Sequence, residues 1–162
     1  MTYQDQMVKM TQRAVDDICR AALALPAGAA TWTAGGEARS ALDQMREIAQ
    51  SAAWLLPLVL GKSSSEFAKH PDQDPGHRQM PESAGLETIA GCVEAARKST
   101  TELCKAIAAA PTEKLDAELK LPFGGGLMMT YADLLGMHYW NLVYHLGQIN
   151  QIALAHGDKE MH

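Results

Sequence analysis

Apolar residues recur at intervals of three and four in four stretches of the chain, a spacing that is typical of amphipathic helices. These stretches cover residues 2–25, 38–60, 83–110 and 130–155 of the 162 residues. In the first, Met7, Met10, Ala14 and Ile18 share one face. The pattern predicts one all-α domain, a four-helix bundle with long connecting loops that allow non-adjacent helices to pair.

Capping residues and prolines mark the ends of the predicted helices. Ser40 is followed by Asp43, and Thr130 by Asp133, in the spacing of helix N-caps. Pro57 predicts that the second helix bends or ends near that position, because proline lacks the N–H group of a helical hydrogen bond.

Two long connections, residues 62–82 and 111–130, have no helical periodicity. Apolar residues alternate near residues 119–123, but no convincing set of strands is predicted. Long loops in compact domains are usually functional or mobile. We expect His70 and His77, in the first connection, to form a lid over the end of the bundle or to be solvated.

Composition narrows the class of protein. The net charge of −5 and the scattered lysines and arginines argue against nucleic acid as a partner. No apolar run approaches the ~20 residues of a membrane span, and the first ten residues lack the pattern of a secretory signal. The chain has three cysteines that are far apart in sequence: Cys19, Cys92 and Cys104. Their odd number and wide spacing argue against a disulfide framework and against a thiolate zinc site. We expect a cytoplasmic protein that binds no membrane.

The last predicted helix carries an unusual polar row. His138, Asn141, His145 and Gln148 fall on one face, between apolar neighbours that favour burial. Buried polar groups need hydrogen-bond partners, since each unsatisfied group costs about 1–3 kcal/mol. Gly147 is a second anomaly, because a glycine inside a helix costs up to about 1 kcal/mol and usually indicates close approach by another helix or a bound group.

The spacing of this row constrains any metal site. His138 and His145 are two turns apart, roughly 10.5 Å along a helix, which is too far for both to reach one ion. Only Asn141 and His145 have the spacing of two ligands, and an amide oxygen is a weak ligand for zinc or nickel. The residues alone therefore favour an internal hydrogen-bond network over a filled metal site.

Three stretches of the chain, taken in order, resemble the DinB-like (DinB/YfiT) superfamily. They are "ALPAGAATWTAGGEARSALDQMREIAQSA" at residues 24–52, "GGGLMMTYADLLGMHYWN" at residues 124–141 and "VYHLGQINQIALAHGD" at residues 143–158. The resemblance implies a four-helix bundle, often a homodimer, with a divalent metal held by three histidines. Some members are thiol-dependent transferases or isomerases.

Carried over by motif, the resemblance places the three metal ligands at Glu47, Asn141 and His145, so only one of the three is still a histidine. Oxygen and nitrogen together suit Mg²⁺ or Mn²⁺ better than Zn²⁺ or Ni²⁺. Gln148 would orient these ligands, and His138 would shuttle a proton or fill space.

Other interpretations of these residues remain open. Glu47 lies at the border of a charged helix face with Arg39 and Asp43, so it could instead be solvated. The three predicted ligands could also bond to one another without an ion, or the C-terminal His156, Glu160 and His162 could supply further ligands. For the aromatic residues Tyr139, Trp140 and Tyr144 we expect interior packing or a dimer surface.

Two functions follow from these expectations. The first is a DinB-like protein with an altered divalent-metal site, acting as a metal-dependent transferase or hydrolase on small molecules. The second is a non-catalytic, dimeric small-ligand-binding or structural bundle without metal. The first depends on Glu47 pointing across the interior to meet Asn141 and His145, whereas the second requires only the bundle.

Overall fold

The computed structural model describes residues 1–62, 85–121, 126–160 and 162. The chain is mostly helical, which confirms the all-α prediction. Its four long helices are α1 (Tyr3–Leu23), α2 (Ala41–Val59), α3 (Ile89–Ala108) and α4 (Tyr131–Ala155). Single 3₁₀ turns occupy Ala29–Thr31 and Thr112–Lys114.

The predicted helix caps are present. The Ser40 hydroxyl accepts a hydrogen bond from the backbone N–H of Asp43, and Thr130 and Asp133 form a reciprocal capping box at the start of α4. Pro57 does not end α2, which continues to Val59. A proline this close to the C-terminal end removes only one helical hydrogen bond.

Helix α3 begins later than the predicted residue 83. Its N-cap is Thr88, whose side chain accepts from the N–H of Gly91. Residues 85–88 lie against the first turn of the helix, where a Cβ on Gly91 would stand 2.0 Å from the carbonyl oxygen of Gly85. Apolar periodicity could not show this boundary, because Leu86 is buried although it lies outside the helix.

The expectation of no strands was wrong. Strands β1 (Glu118–Lys120) and β2 (Met128–Thr130) pair antiparallel, with Leu119 opposite Met129. Three-residue strands are too short for an alternating pattern to identify them. The backbone N–H of Tyr131 donates to the carbonyl of Ala117, so this small sheet leads directly into α4.

Side-chain contacts fix the relative directions of the helices. The hydroxyl of Tyr3 donates to the carbonyl of Ala132, so α1 and α4 start side by side and run parallel. At the same end, Gln4 donates to the carbonyl of Ala110, and α1 is therefore antiparallel to α3.

Helices α2 and α3 run in the same direction. The guanidinium of Arg46 donates to the carbonyl of Leu86 near the start of both helices, and Ser99 donates to the carbonyl of Ala49 midway along. The hydroxyl of Tyr131, at the start of α4, donates to the carbonyl of Val59, at the end of α2. Helix α4 is thus antiparallel to α2.

The core is formed by apolar faces of all four helices. Its largest fully buried apolar side chains include Ile18, Met45, Ile48, Leu103, Ile107, Leu134, Leu135, Leu142 and Ile149. The three cysteines are free and buried in it. Burial raises the pKa of Cys92 and of Cys104 to about 11, which leaves both as unreactive thiols near neutral pH.

Candidate functional site

The polar row runs along the side of α4 that faces the other helices, and both of its histidines are buried. His138 is 0% exposed and His145 is 3% exposed. Asn141 and Gln148 are half-buried. The buried part of the row therefore consists of two separate imidazole rings, each with its own surroundings.

Helix α2 supplies the partners of His145. Glu47 crosses to α4, and its Oε1 lies 3.1 Å from His145 Nε2. On the other side of the ring, Oε1 of Gln44 lies 3.0 Å from His145 Nδ1. Gln44 is held in this orientation by its amide nitrogen, which donates to the carbonyl of Arg39. The structure thus brings together two of the three predicted ligands.

Arg39, just before α2, is the residue that sequence reasoning missed. Its guanidinium pairs with Oε2 of Glu47 and Oδ2 of Asp43, and it also donates to the backbone carbonyl of Asp43 at 3.1 Å. The spacing of four between Arg39, Asp43 and Glu47 could have indicated this contact. The sequence alone allows a solvated, charged helix face for these residues, whereas in the structure Asp43 and Glu47 are only 5% and 9% exposed.

This cluster joins charged and titratable side chains of two helices. Burial by itself would raise the pKa of Glu47, but hydrogen bonding and charge interactions with His145 and then Arg39 outweigh it and lower the pKa to about 2. Both ring nitrogens of His145 face acceptor oxygens, so both contacts are hydrogen bonds only in the imidazolium form. In that form two cations face two carboxylates.

Asn141, the third predicted ligand, does not join the cluster. Within the described residues its side chain forms no hydrogen bond to Glu47 or His145, and the same holds for Gln148. The interpretation of Gln148 as an orienting group therefore lacks a contact. Over the same residues no group of three histidine, cysteine, aspartate or glutamate side chains has the arrangement of a metal site.

The donor set present here does not fit a divalent ion well. Glu47 uses one carboxylate oxygen for His145 and the other for Arg39. The imidazole is occupied on both nitrogens. A guanidinium beside these oxygens already supplies the positive charge that a metal would bring, and a second cation there would be repelled.

His138 belongs to a different contact group. Its Nδ1 lies 3.2 Å from the hydroxyl of Ser51 on α2, and its Nε2 lies 2.8 Å from the hydroxyl of Thr100 on α3. Burial lowers the pKa of His138 to about 4, so the ring is neutral near pH 7. It joins three helices by hydrogen bonds and does not contact the Glu47–His145 pair.

The C-terminal histidines do not supply ligands to this site. The rings of His156 and Trp32 pack in a T-shaped arrangement with their centroids 5.0 Å apart, and His156 Nδ1 contacts the carbonyl of Ile152. His162 pairs with Asp158. His70 and His77 lie outside the described residues, so the lid expectation stays a prediction.

The structure narrows two further expectations for α4, and in both cases contact with a second chain or a bound group stays a prediction. Gly147 is exposed, and a Cβ there would meet nothing within 4 Å, so no other helix among the described residues approaches it closely. Trp140 and Tyr144 do not pack in the interior: they are 64% and 51% exposed and stack on each other on the outside of α4.

A second feature is an apolar cleft at the opposite end of α2. It has a volume of about 300 Å³ and is lined mainly by Leu58, Ala106, Ala110, Leu119 and Tyr131, together with Lys114. Its volume lies at the lower end of the range for small-molecule pockets.

Comparison with known proteins adds no assignment. The chain matches no protein-family model, and it matches no curated protein. Within the part of the chain that the structure describes, no helix is both long and apolar enough to cross a membrane.

Proposed function

We propose that this chain is a DinB-like four-helix bundle in which an arginine takes the place of the family's metal ion. It acts as a non-catalytic module, a dimeric small-ligand-binding or structural bundle lacking metal. The observation that carries the proposal is the guanidinium of Arg39, which bonds to the carboxylates of both Asp43 and Glu47.

The helix directions support the bundle. Helices α1 and α4 point one way and α2 and α3 the other, so two pairs of neighbours are parallel. Because α2 and α3 are consecutive and parallel, the chain between them must run back along the full length of α2. That length is about 28 Å for a helix of 19 residues. The sequence between Val59 and Ile89 is long enough for this.

The apolar cleft supports the ligand-binding part of the proposal. Its lining of leucine, alanine and tyrosine side chains, with Lys114 among them, suits a small apolar molecule that carries a negative charge. The fluorescent probe 1-anilinonaphthalene-8-sulfonate should bind there, and Ala106→Trp should reduce its binding at least tenfold. Unchanged probe binding in this variant would contradict a ligand site in the cleft.

A metal titration tests the role of Arg39. Calorimetry of the wild type with Mg²⁺, Mn²⁺, Ni²⁺ and Zn²⁺ should show no binding tighter than about 1 mM, a free energy near −4 kcal/mol. Arg39→Gln removes the guanidinium that bonds to the carboxylates of both Asp43 and Glu47. We expect this variant to be less stable and to gain both divalent-ion binding and a metal-dependent rise in Tm.

Arg97→Gln is the matched control. It removes an arginine from the ion pair with Asp16, whose side chains are both more than half exposed, and it should not create a metal site. Tight binding of an ion to the wild type that is lost in His145→Ala would contradict the proposal.

That outcome would favour the second candidate, a metal-dependent transferase or hydrolase acting on small molecules. One distance supports it: Glu47 Oε1 and His145 Nε2 are 3.1 Å apart, close to the separation of two neighbouring ligands bound to one ion at about 2.1 Å. Arg39 would have to withdraw from Glu47 for an ion to bind there.

A further inference from the structure

The outward side of α4 exposes large apolar side chains in one row. Trp140, Val143, Tyr144 and Leu154 are 64%, 44%, 51% and 53% exposed. Successive residues of an α-helix are about 100° apart around its axis. On this basis, these four side chains and two more residues lie within an arc of roughly 100° around α4. We call this set the outer α4 face: Trp140, Val143, Tyr144, Gly147, Gln151 and Leu154.

This face carries no charge. From residue 134 to residue 155 the sequence contains no aspartate, glutamate, lysine or arginine, although α4 is half surrounded by solvent. Helix α1, by contrast, carries lysine, arginine and aspartate throughout its exposed side. Solvated helix faces are normally charged. Aromatic enrichment with depletion of charge is instead the composition of the centre of a protein–protein interface.

Four positions of this face form two pairs that are symmetric about Gly147. Trp140 and Leu154 lie seven residues on either side of it, and Val143 and Gln151 lie four residues on either side. If two copies of α4 packed antiparallel about a two-fold axis at Gly147, the bulky Trp140 would meet Leu154 of the second copy. An uncharged face also avoids the repulsion that a charged face would suffer against its own copy.

We propose that the outer α4 face binds the same face of a second copy of this chain, with the two α4 helices antiparallel and crossing at Gly147. Nothing in the described part of the chain explains this glycine, because a Cβ there would meet no described atom within 4 Å. Close approach of the second α4 explains it. The inference names the surface of the dimer in the proposed function, and its test does not depend on the metal titration.

The mass in solution tests the dimer. Light scattering or sedimentation at tens of micromolar should give about 35 kDa, twice the 17.5 kDa of one chain. Trp140→Glu and Leu154→Glu should each weaken dimerisation at least tenfold, with an unchanged helical circular dichroism spectrum. The control is Leu23→Glu, which alters a 57% exposed leucine on α1 beside Arg20 and Arg97 and should leave the dimer intact.

Two further variants test the antiparallel register. Mixing Trp140→Glu with Leu154→Lys should restore a dimer that neither variant forms alone, because the new charges face each other across one of the two contacts. Gly147→Cys should oxidise to a disulfide-linked dimer, since the two Cα atoms would lie near the axis and the native cysteines are all buried.

A wild type that stays monomeric at these concentrations overturns the proposal and assigns the face to another protein or a lipid surface. A dimer that survives both glutamate substitutions overturns it too, because the second copy then binds elsewhere. Failure of the mixing and cysteine tests, with loss of the dimer in Trp140→Glu, would reject the antiparallel register.

Discussion

His138 and His145 both lie on α4, but they differ in chemistry because different side chains surround them. His138 lies between the hydroxyls of Ser51 and Thr100, where a neutral ring can accept one hydrogen bond and donate the other. His145 lies between a carboxylate oxygen and an amide oxygen, and both of these oxygens can only accept hydrogen bonds. The spacing of seven residues placed both on the inward side of α4, but residues from α2 and α3 decided their chemistry.

His138 should make the stability of the protein depend on pH. Its pKa is lowered by burial from 6.5 to about 4, so between these values the unfolded chain binds a proton that the folded chain does not. The stabilisation is complete above pH 6.5 and is lost as the pH falls toward 4, by about 3 kcal/mol at most. Urea unfolding of the wild type across this range should show the loss.

The variant His138→Leu isolates this contribution. It removes the titrating ring, so its free energy of unfolding should fall less steeply between pH 6.5 and 4 than that of the wild type. Equal slopes for the two proteins would mean that the ring is protonated in the folded state, which the hydroxyl neighbours and full burial argue against.

At the scale of the elements, a comparison of two helical glycines, Gly91 and Gly136, shows how far helix propensity alone predicts the effect of a substitution. A glycine-to-alanine change inside a helix normally stabilises it by up to about 1 kcal/mol. At Gly136, a new Cβ would meet the Met7 sulfur and the Tyr3 hydroxyl oxygen at 3.6 Å, which is ordinary contact. At Gly91 it would meet a backbone carbonyl oxygen at 2.0 Å.

We therefore predict opposite effects for the same substitution. Gly136→Ala should raise the free energy of unfolding by a few tenths to about 1 kcal/mol. Gly91→Ala should lower it by about 2 kcal/mol or more, because residues 85–88 must move away from the first turn of α3. Chemical denaturation of both variants checks this, and a stabilised Gly91→Ala would show that the Gly85 carbonyl does not pack there.

At the scale of the whole molecule, ion pairs join helices in two different settings. The buried pair Glu47–His145 links α2 to α4, with side chains 12% and 3% exposed. The surface pair Asp16–Arg97 links α1 to α3, with side chains 57% and 51% exposed. Water and salt screen the second pair far more than the first.

Double-mutant cycles should separate the two settings. For Glu47→Gln with His145→Gln we expect a coupling energy of about 1–3 kcal/mol. For Asp16→Asn with Arg97→Gln we expect about 0.2–1 kcal/mol, falling with added salt. The pKa of Glu47 is lowered to about 2, so the first coupling should be present above pH 4.5 and disappear as the pH falls toward 2.

Equal couplings at the two sites, or a Glu47–His145 coupling that persists at pH 2, would contradict the structure. A small coupling would mean that solvent reaches Glu47 and that its contact with His145 is a surface interaction.

The sequence by itself determined the helices and most of their ends. Apolar spacing and the caps at Ser40 and Thr130 depend on residues no more than four positions apart, and interactions of that range can be read along the chain. The same spacing placed His138 and His145 on the buried side of α4, whereas only the family resemblance suggested that Glu47 faces His145.

Only the tertiary structure decided what these polar groups do. Arg39 meets Glu47, and Glu47 meets His145, across gaps of 8 and 98 residues. No periodic pattern could show that an arginine already holds the carboxylate that the family resemblance assigned to a metal. Likewise, an exposed Gly147 and a closely packed Gly91 look alike in sequence, because the atoms around each come from other parts of the fold.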